Sequence, residues 1–248
     1  MPNQLHQPTA GLLLSGGIDS AVLLDQLLAS GWRVVPFYVR TGCVWDECEL
    51  AAVRRLLPAL AGKGLGDLVV LQMPLGDLYA DHWSISGLNV PDDTSPDEAV
   101  FMPGRNPLLL LKPVLWCQTH GIGQLAIATL ENNPFDDATP EFFAQFERMI
   151  HRATGEQVQI VRPFERMPKH RVMELGRHLP LELTFSCLAP RDGLHCGTCN
   201  KCAERRAGFR RVGAEDRTRY AAEGATASIH ATSRDGKAAR PKPPAAIR

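Results

Sequence analysis

Apolar positions in this chain come in two rhythms that alternate along its length. Gly11-Leu12-Leu13-Leu14 is an unbroken apolar run that stops at Ser15-Gly16-Gly17, and beyond it apolar residues fall at 21, 22, 24, 27 and 28. The first pattern predicts a buried strand and the second a helix. Residues 34–39 predict a second strand, 47–60 a helix and 68–71 a third strand. Residues 76–103 are rich in proline and aspartate and read as loop. The remaining predictions are a helix over 108–120, a fourth strand over 125–129, a helix over 141–153, a fifth strand over 158–161 and a helix over 169–178. In the helix over 141–153, Phe142, Phe143, Phe146 and Ile150 share one face. Strands alternating with helices imply an α/β fold, a parallel five-stranded doubly wound sheet covered on both faces. Ligands in such sheets sit beyond the carboxyl ends of the strands. Residues after Leu14, Val39, Leu71 and Thr129 are therefore the expected rim of the site.

Composition narrows the picture without redirecting it. The 248 residues are 44% hydrophobic, enough for a substantial core, and 27 basic side chains balance 27 acidic ones. Global charge therefore gives no reason to expect a nucleic acid or a membrane surface as partner. The polar opening residues resemble no export signal, and the run beginning at Leu108 is far too short to cross a bilayer, so a cytoplasmic protein is expected. From residue 213 to 248 the chain turns to Ala, Gly, Arg, Lys and Pro, and the segment reads as a disordered tail. The nine Lys and Arg from Arg210 onward are offset by Glu215, Asp216, Glu223 and Asp235, the pattern of a solvated tail.

The string Leu14-Ser15-Gly16-Gly17-Ile18-Asp19-Ser20 carries the first chemistry. A strand enters a two-glycine turn and a helix follows at once, so exposed backbone amides can approach an anion closely. Ser15 and Ser20 add hydroxyl donors. Asp19 places a hard oxygen where a magnesium ion bridging phosphates needs one. No Gly-Lys-Ser/Thr follows, so this is not a P-loop, and the glycine spacing is not that of a dinucleotide site.

Seven cysteines include four in sixteen residues, Cys187, Cys196, Cys199 and Cys202, spaced C-x8-C-x2-C-x2-C. In a chain read as cytoplasmic, that clustering favours metal over disulfides. Two short gaps and one long one suit a closed tetrahedral zinc site with a structural role, and an iron–sulfur cluster is the rival. His195 is a possible substitute ligand. Cys43, Cys48 and Cys117 read as core or loop thiols. The domain reading is 8–180 for the sheet, 181–212 for a zinc-binding helical subdomain that pins a helix over 203–209, and 213–248 for the tail.

The Ser-Gly-Gly-x-Asp-Ser string resembles the PP-loop ATPases, which have a HUP-like sheet and cleave ATP between its α- and β-phosphates to adenylate a substrate oxygen. With Pro103-Gly104-Arg105-Asn106, Lys169, Ser186-Cys187, the cysteine cluster, Arg205 and Gly208-Phe209 in this order, the chain looks like the 7-cyano-7-deazaguanine synthase family from about residue 12 to 209. The resemblance implies that Leu14, Ser15, Gly16, Gly17 and Ser20 cradle pyrophosphate, with Asp19 near the metal. Arg105 and Lys169 are implied as cations for the phosphate charge. It further implies a ligase of the queuosine pathway that joins ammonia to the carboxylate of 7-carboxy-7-deazaguanine. ATP, magnesium and structural zinc are the implied cofactors; a small carboxylate and ammonia are the partners, and a homodimer is a compatible assembly.

The chain departs from the family in one loop. Where members carry Tyr-Pro-Asp-Cys-Arg, Ala138 and Thr139 stand at the Cys and Arg positions, and the segment is shorter. Glu131, Asp136 and Asp137 are left as candidates to hydrogen-bond the edge of the base; the alternative is an acidic loop capping the helix from Pro140. A paralogue acting on another carboxylate, a tRNA-modifying PP-loop enzyme and a non-catalytic nucleotide-binding protein are the other readings.

Overall fold

A computed structural model describes residues 7–131 and 133–221. Alternation along the strands decides which layer each side chain joins. In β1 (Thr9–Leu13) and the residue that follows it, Leu12 and Leu14 enter one core, while Leu13 packs against the other. In β2 (Arg33–Arg40), Val34 and Tyr38 join the first core and Phe37 the second. The other strands are β3 (Val69–Gln72), β4 (Gln124–Ala126) and β5 (Gln159–Val161), all parallel, in the order β3-β2-β1-β4-β5. Winding reverses between β1 and β4, which opens a crevice at their carboxyl ends.

Two helical layers close the sheet. On one face α1 (Ile18–Ala29), α2 (Asp46–Ala59) and α7 (Lys169–Leu175) bury Val22, Leu50, Val53 and Met173. On the other, α5 (Arg105–Thr119) and α6 (Pro140–Thr154) bury Leu110, Val114, Phe143, Phe146 and Ile150. Helix α6 has both its stops written in sequence: the Thr139 hydroxyl accepts from the Phe142 amide, and Gly155 closes it at φ 76°.

Several expected boundaries move, each for a physical reason. Helix α5 begins at Arg105, three residues before the apolar period, because Pro107 lies in the first turn, where no amide donor is needed. Helix α7 stops at Leu175, short of 178, at Gly176, where a Cβ would meet Val22 Cγ2 at 2.3 Å. The fourth strand ends at Ala126 and not 129, leaving Thr129 at the mouth of the crevice. Residues 76–103, expected as loop, contain the short helices α3 (Gly76–Tyr79) and α4 (Trp83–Ser86) and a 3-10 turn, Asp97–Val100.

The C-terminal helix α8 is longer than 203–209, running Asn200–Arg211. It packs on α7 so closely that a Cβ on Gly208 would lie 2.4 Å from Met173 Sδ. Residues 213–221, read as the start of a tail, are described and packed. Thr218 and Tyr220 are buried, the Ala221 amide donates to His195 O at 2.8 Å, and Arg206 lies 4.0 Å over the Tyr220 ring. The rest of the tail reading, from 222, falls outside the described residues.

Candidate active site and metal centre

A cleft of about 620 Å³ opens at the carboxyl ends of β1 and β4, within the range of small-molecule sites. Ser15, Gly17, Asp19 and Ser20 line it. Gly16 turns the chain at φ 83° with its back to α2, where a Cβ would lie 3.2 Å from Glu49 O and from Val53 Cγ2. Leu14 is fully buried beneath the loop and does not line the cleft. Ser20 does not cap α1: its hydroxyl donates back to Gly17 O at 3.1 Å and lies 3.2 Å from Ser15 Oγ. That pairing aims two hydroxyls at one place.

Asp19 and Lys169, 150 positions apart, meet here. Lys169 Nζ lies 2.7 Å from Asp19 Oδ2, while Asp19 Oδ1 is buried with no hydrogen-bond partner. A hard, desolvated oxygen of that kind suits a divalent cation. Lys169 also reaches Glu204 Oε1 at 3.5 Å, and Lys201 Nζ holds Glu204 Oε2 at 2.6 Å. Burial works against the Lys169 ammonium, but Asp19 and Glu204 outweigh it and hold its pKa above the ordinary lysine value.

Arg105 lines the cleft from the start of α5, which the left-handed Gly104 (φ 73°) presents. Beside it stands Glu49, to which sequence reasoning gave no role. Tyr38 Oη donates to Glu49 Oε2 at 3.1 Å, and the Thr41 and Gly42 amides each hold Asp46 Oδ2 at 2.7 Å. Burial pushes the Glu49 carboxyl up to about 8; Arg105 pulls it back, Asp46 pushes it further and the Tyr38 hydroxyl opposes that.

The pH consequence has a definite sign. An unfolded glutamate releases its proton near 4.5, whereas the folded chain keeps it to about 8, so Glu49 makes stability fall as pH rises between those values. Glu49→Gln cannot ionise. Chemical denaturation should find the variant more stable than wild type by about 2 kcal/mol at pH 8.5, a discounted share of about 1.4 kcal/mol per pKa unit, and equal to it near pH 4.5. An unchanged difference across that range would refute the assignment.

The loop after β4 sorts the three acidic candidates. Glu131 lies at the cleft rim. Asp137 lines the cleft, but its carboxylate accepts from the Asn106 amide at 3.0 Å and from Asn106 Nδ2 at 3.2 Å, which ties the loop to the first turn of α5. Asp136 is exposed and is not part of the lining. Phe101 and Phe135 stack at the mouth, ring centres 5.2 Å apart, and Thr129 Oγ1 is buried without a partner. Neither the stack nor the unpaired hydroxyl was legible in sequence, because both depend on contacts across the cleft.

Beside the cleft, the Sγ atoms of Cys187, Cys196, Cys199 and Cys202 all lie within 4.8 Å of one another, and all four residues are buried. Cys187–Cys199 and Cys196–Cys202 are 3.9 Å apart. Tetrahedral bonds of about 2.3 Å place thiolates roughly 3.8 Å apart, so the spacing fits one ion, whereas a cluster with its own sulfides needs a wider cage. Backbone amides of Cys196, Ala189, Thr198 and Leu188 point at the sulfurs, as thiolate ligands require. His195 does not join the four sulfurs: its Nε2 accepts the Ser186 amide at 3.2 Å, and burial keeps the ring neutral. Of the other thiols, Cys43 and Cys117 are buried and Cys48 is half-buried. No described helix is long and apolar enough to cross a membrane.

Comparison with known proteins meets this geometry. The 7-cyano-7-deazaguanine synthase of Syntrophobacter fumaroxidans is 32% identical, over 88% of this chain and 98% of its own length. That of Solidesulfovibrio magneticus is 32% identical over 85% and 95%. Among solved structures, a 4-thiouridine synthetase–RNA complex with bound ATP aligns at a TM-score of 0.48 and 18% identity, covering 83% of this chain and 50% of that one, too loosely to support an argument. Residues 9–213 match the family described as queuosine biosynthesis protein QueC, and with a match over most of its length the chain belongs to that family.

Proposed function

We propose that this protein is an ATP-dependent carbon–nitrogen ligase of the queuosine pathway that converts 7-carboxy-7-deazaguanine and ammonia to 7-cyano-7-deazaguanine. One observation supports it most: at the switch point of the sheet, an anion-ready loop lies beside a buried, half-satisfied carboxylate and a charged lysine. The names of the relatives add the substrate.

A carboxylate is a poor acyl donor until its oxygen becomes part of a leaving group. The amides of Gly16 and Gly17 and the hydroxyls of Ser15 and Ser20 hold the outer phosphates of ATP, with Leu14 as the buried footing of the loop. Asp19 would hold magnesium, which when bound would offset phosphate charge. Lys169 and Arg105 approach the transferring group from opposite walls and stabilise charge that grows as pyrophosphate departs. The substrate oxygen attacks the α-phosphorus; ammonia then displaces AMP to give the amide. A second activation, at the amide oxygen, lets the same residues serve the dehydration to nitrile. Glu131 is the carboxylate free to meet the aminopyrimidinone edge, since Asp137 is committed to Asn106. The four thiolates would hold zinc with no open position, which makes the ion structural.

Purified protein should be incubated with ATP, magnesium, ammonium and 7-carboxy-7-deazaguanine, with products followed by mass spectrometry. The expected result is the nitrile, with two AMP and two pyrophosphate for each one formed. No conversion of this acid, with ATP cleavage restored by a different carboxylate, would replace the reading with a paralogue of another substrate.

A further inference from the structure

The loop at residues 15–20 offers a phosphate chain amides and hydroxyls but no cation. At neutral pH a departing pyrophosphate carries more negative charge than one divalent ion offsets, and buried anions need cations close by. Arg105 and Lys169 are already engaged in the proposed reaction. Arg205 is 2% exposed and spends its donors on Thr218 Oγ1, Thr184 Oγ1 and Leu181 O, at 2.7, 2.8 and 2.6 Å. Lys201 also lines the cleft, and Glu204 and Lys169 connect it to Asp19 in the phosphate loop. It stands in the second short gap of the cysteine cluster, where sequence reasoning treats residues as spacers.

We propose that the metal knuckle is part of the phosphate site: Lys201 binds the pyrophosphate end of the nucleotide together with Lys169, and Glu204 is the positioning residue that holds both lysines. This rests on the ATP-using reading above. Glu204 takes Lys201 on Oε2 at 2.6 Å and Lys169 on Oε1 at 3.5 Å, so one carboxylate keeps two ammonium groups within its own span. Lys169 continues to Asp19 at 2.7 Å, completing a row of alternating charge from the knuckle helix to the phosphate loop. All four side chains are partly shielded, between 23% and 35% exposed, which strengthens attraction over that in open water. Lysine suits the role because its flexible stem can exchange a carboxylate for a phosphate without moving the helix. The thiolate centre fixes where α8 starts, because Cys199 precedes its first residue and Cys202 lies in its first turn. The ion-binding cage thereby sets the height of Lys201 above the loop.

The test is calorimetric titration of magnesium pyrophosphate into the full-length, zinc-loaded protein, with AMP as the control ligand. Lys201→Met should weaken pyrophosphate at least 10-fold, Lys201→Arg should recover to within about 3-fold, and AMP affinity should stay within 2-fold in both. Glu204→Gln should weaken pyrophosphate 3- to 10-fold, and Glu204→Asp should recover part of that. Metal content equal to wild type in each variant establishes that the knuckle is intact. Wild-type binding that Lys201→Met leaves unchanged overturns the relay alone, as does equal loss of AMP and pyrophosphate. No binding of pyrophosphate or ATP by the wild type overturns the nucleotide reading as well.

Discussion

Cys199→Ser is expected to lose the metal and, with it, order well beyond the knuckle. Cys199 bridges to Asp92, the Asp93 amide donates to Thr198 O at 3.0 Å, and the Asn200 amide donates to Pro91 O at 3.0 Å. Asn200 Nδ2 adds bonds to Ser95 O at 2.9 Å and Asp97 Oδ1 at 3.3 Å. The segment from 91 to 100 is thus hung on the metal site, and it leads directly into Phe101 and Arg105 at the cleft. Without an ion the remaining buried thiols take up protons, and the metal–sulfur bonding that closed the cage is lost from the folding free energy. A loss of about 4 kcal/mol is a modest share of structural zinc affinity, and for a chain of this size it lowers Tm by roughly 10 °C. Hydrogen exchange should show residues 91–106 and 196–211 opening, with the strands protected. Exchange confined to 196–211 would show that the segment from 91 to 106 stands without the metal.

Sequence made the scaffold legible because its signals are local. The run Leu12-Leu13-Leu14 meeting Ser15-Gly16-Gly17 defines strand, turn and helix by adjacency alone. Thr139 and Gly155 bracket α6, and the cysteine gaps draw a cage from neighbours in the chain. What stayed hidden depends on encounters across the crevice. Asn106 and Asp137 are 31 positions apart and looked like a turn residue and a substrate acid; together they form one tie between α5 and the loop. Nothing in the sequence marks Glu49; its chemistry comes from Tyr38, Asp46 and Arg105 around it. Lys201 and Glu204 carry no signal in the sequence, and only the packing of α8 against α7 brings them to Lys169. Periodicity reports which side chains face a core; it does not report what stands opposite a carboxylate.

Asp19→Asn is expected to separate activity from stability most sharply. Asparagine keeps the shape of the side chain and can still occupy the space beside Lys169, but it gives up the charge that would make Oδ1 a metal ligand. Lys169 retains Glu204 as a partner at 3.5 Å, so no ammonium is left stranded, and Tm should fall by no more than about 3 °C. Pyrophosphate release at saturating ATP, magnesium, ammonium and 7-carboxy-7-deazaguanine should fall by about 100- to 1000-fold, the scale seen when one preorganised charge is removed from a transition state. The upward shift of Tm that ATP and magnesium give the wild type should largely vanish, since linkage rewards only a ligand bound by the folded chain. Lys169→Met should also abolish turnover, yet it should leave part of that shift, because Asp19 remains to hold the ion. A variant Asp19→Asn that keeps a tenth or more of wild-type turnover would remove Asp19 from the chemistry and leave it as the anchor of Lys169 alone.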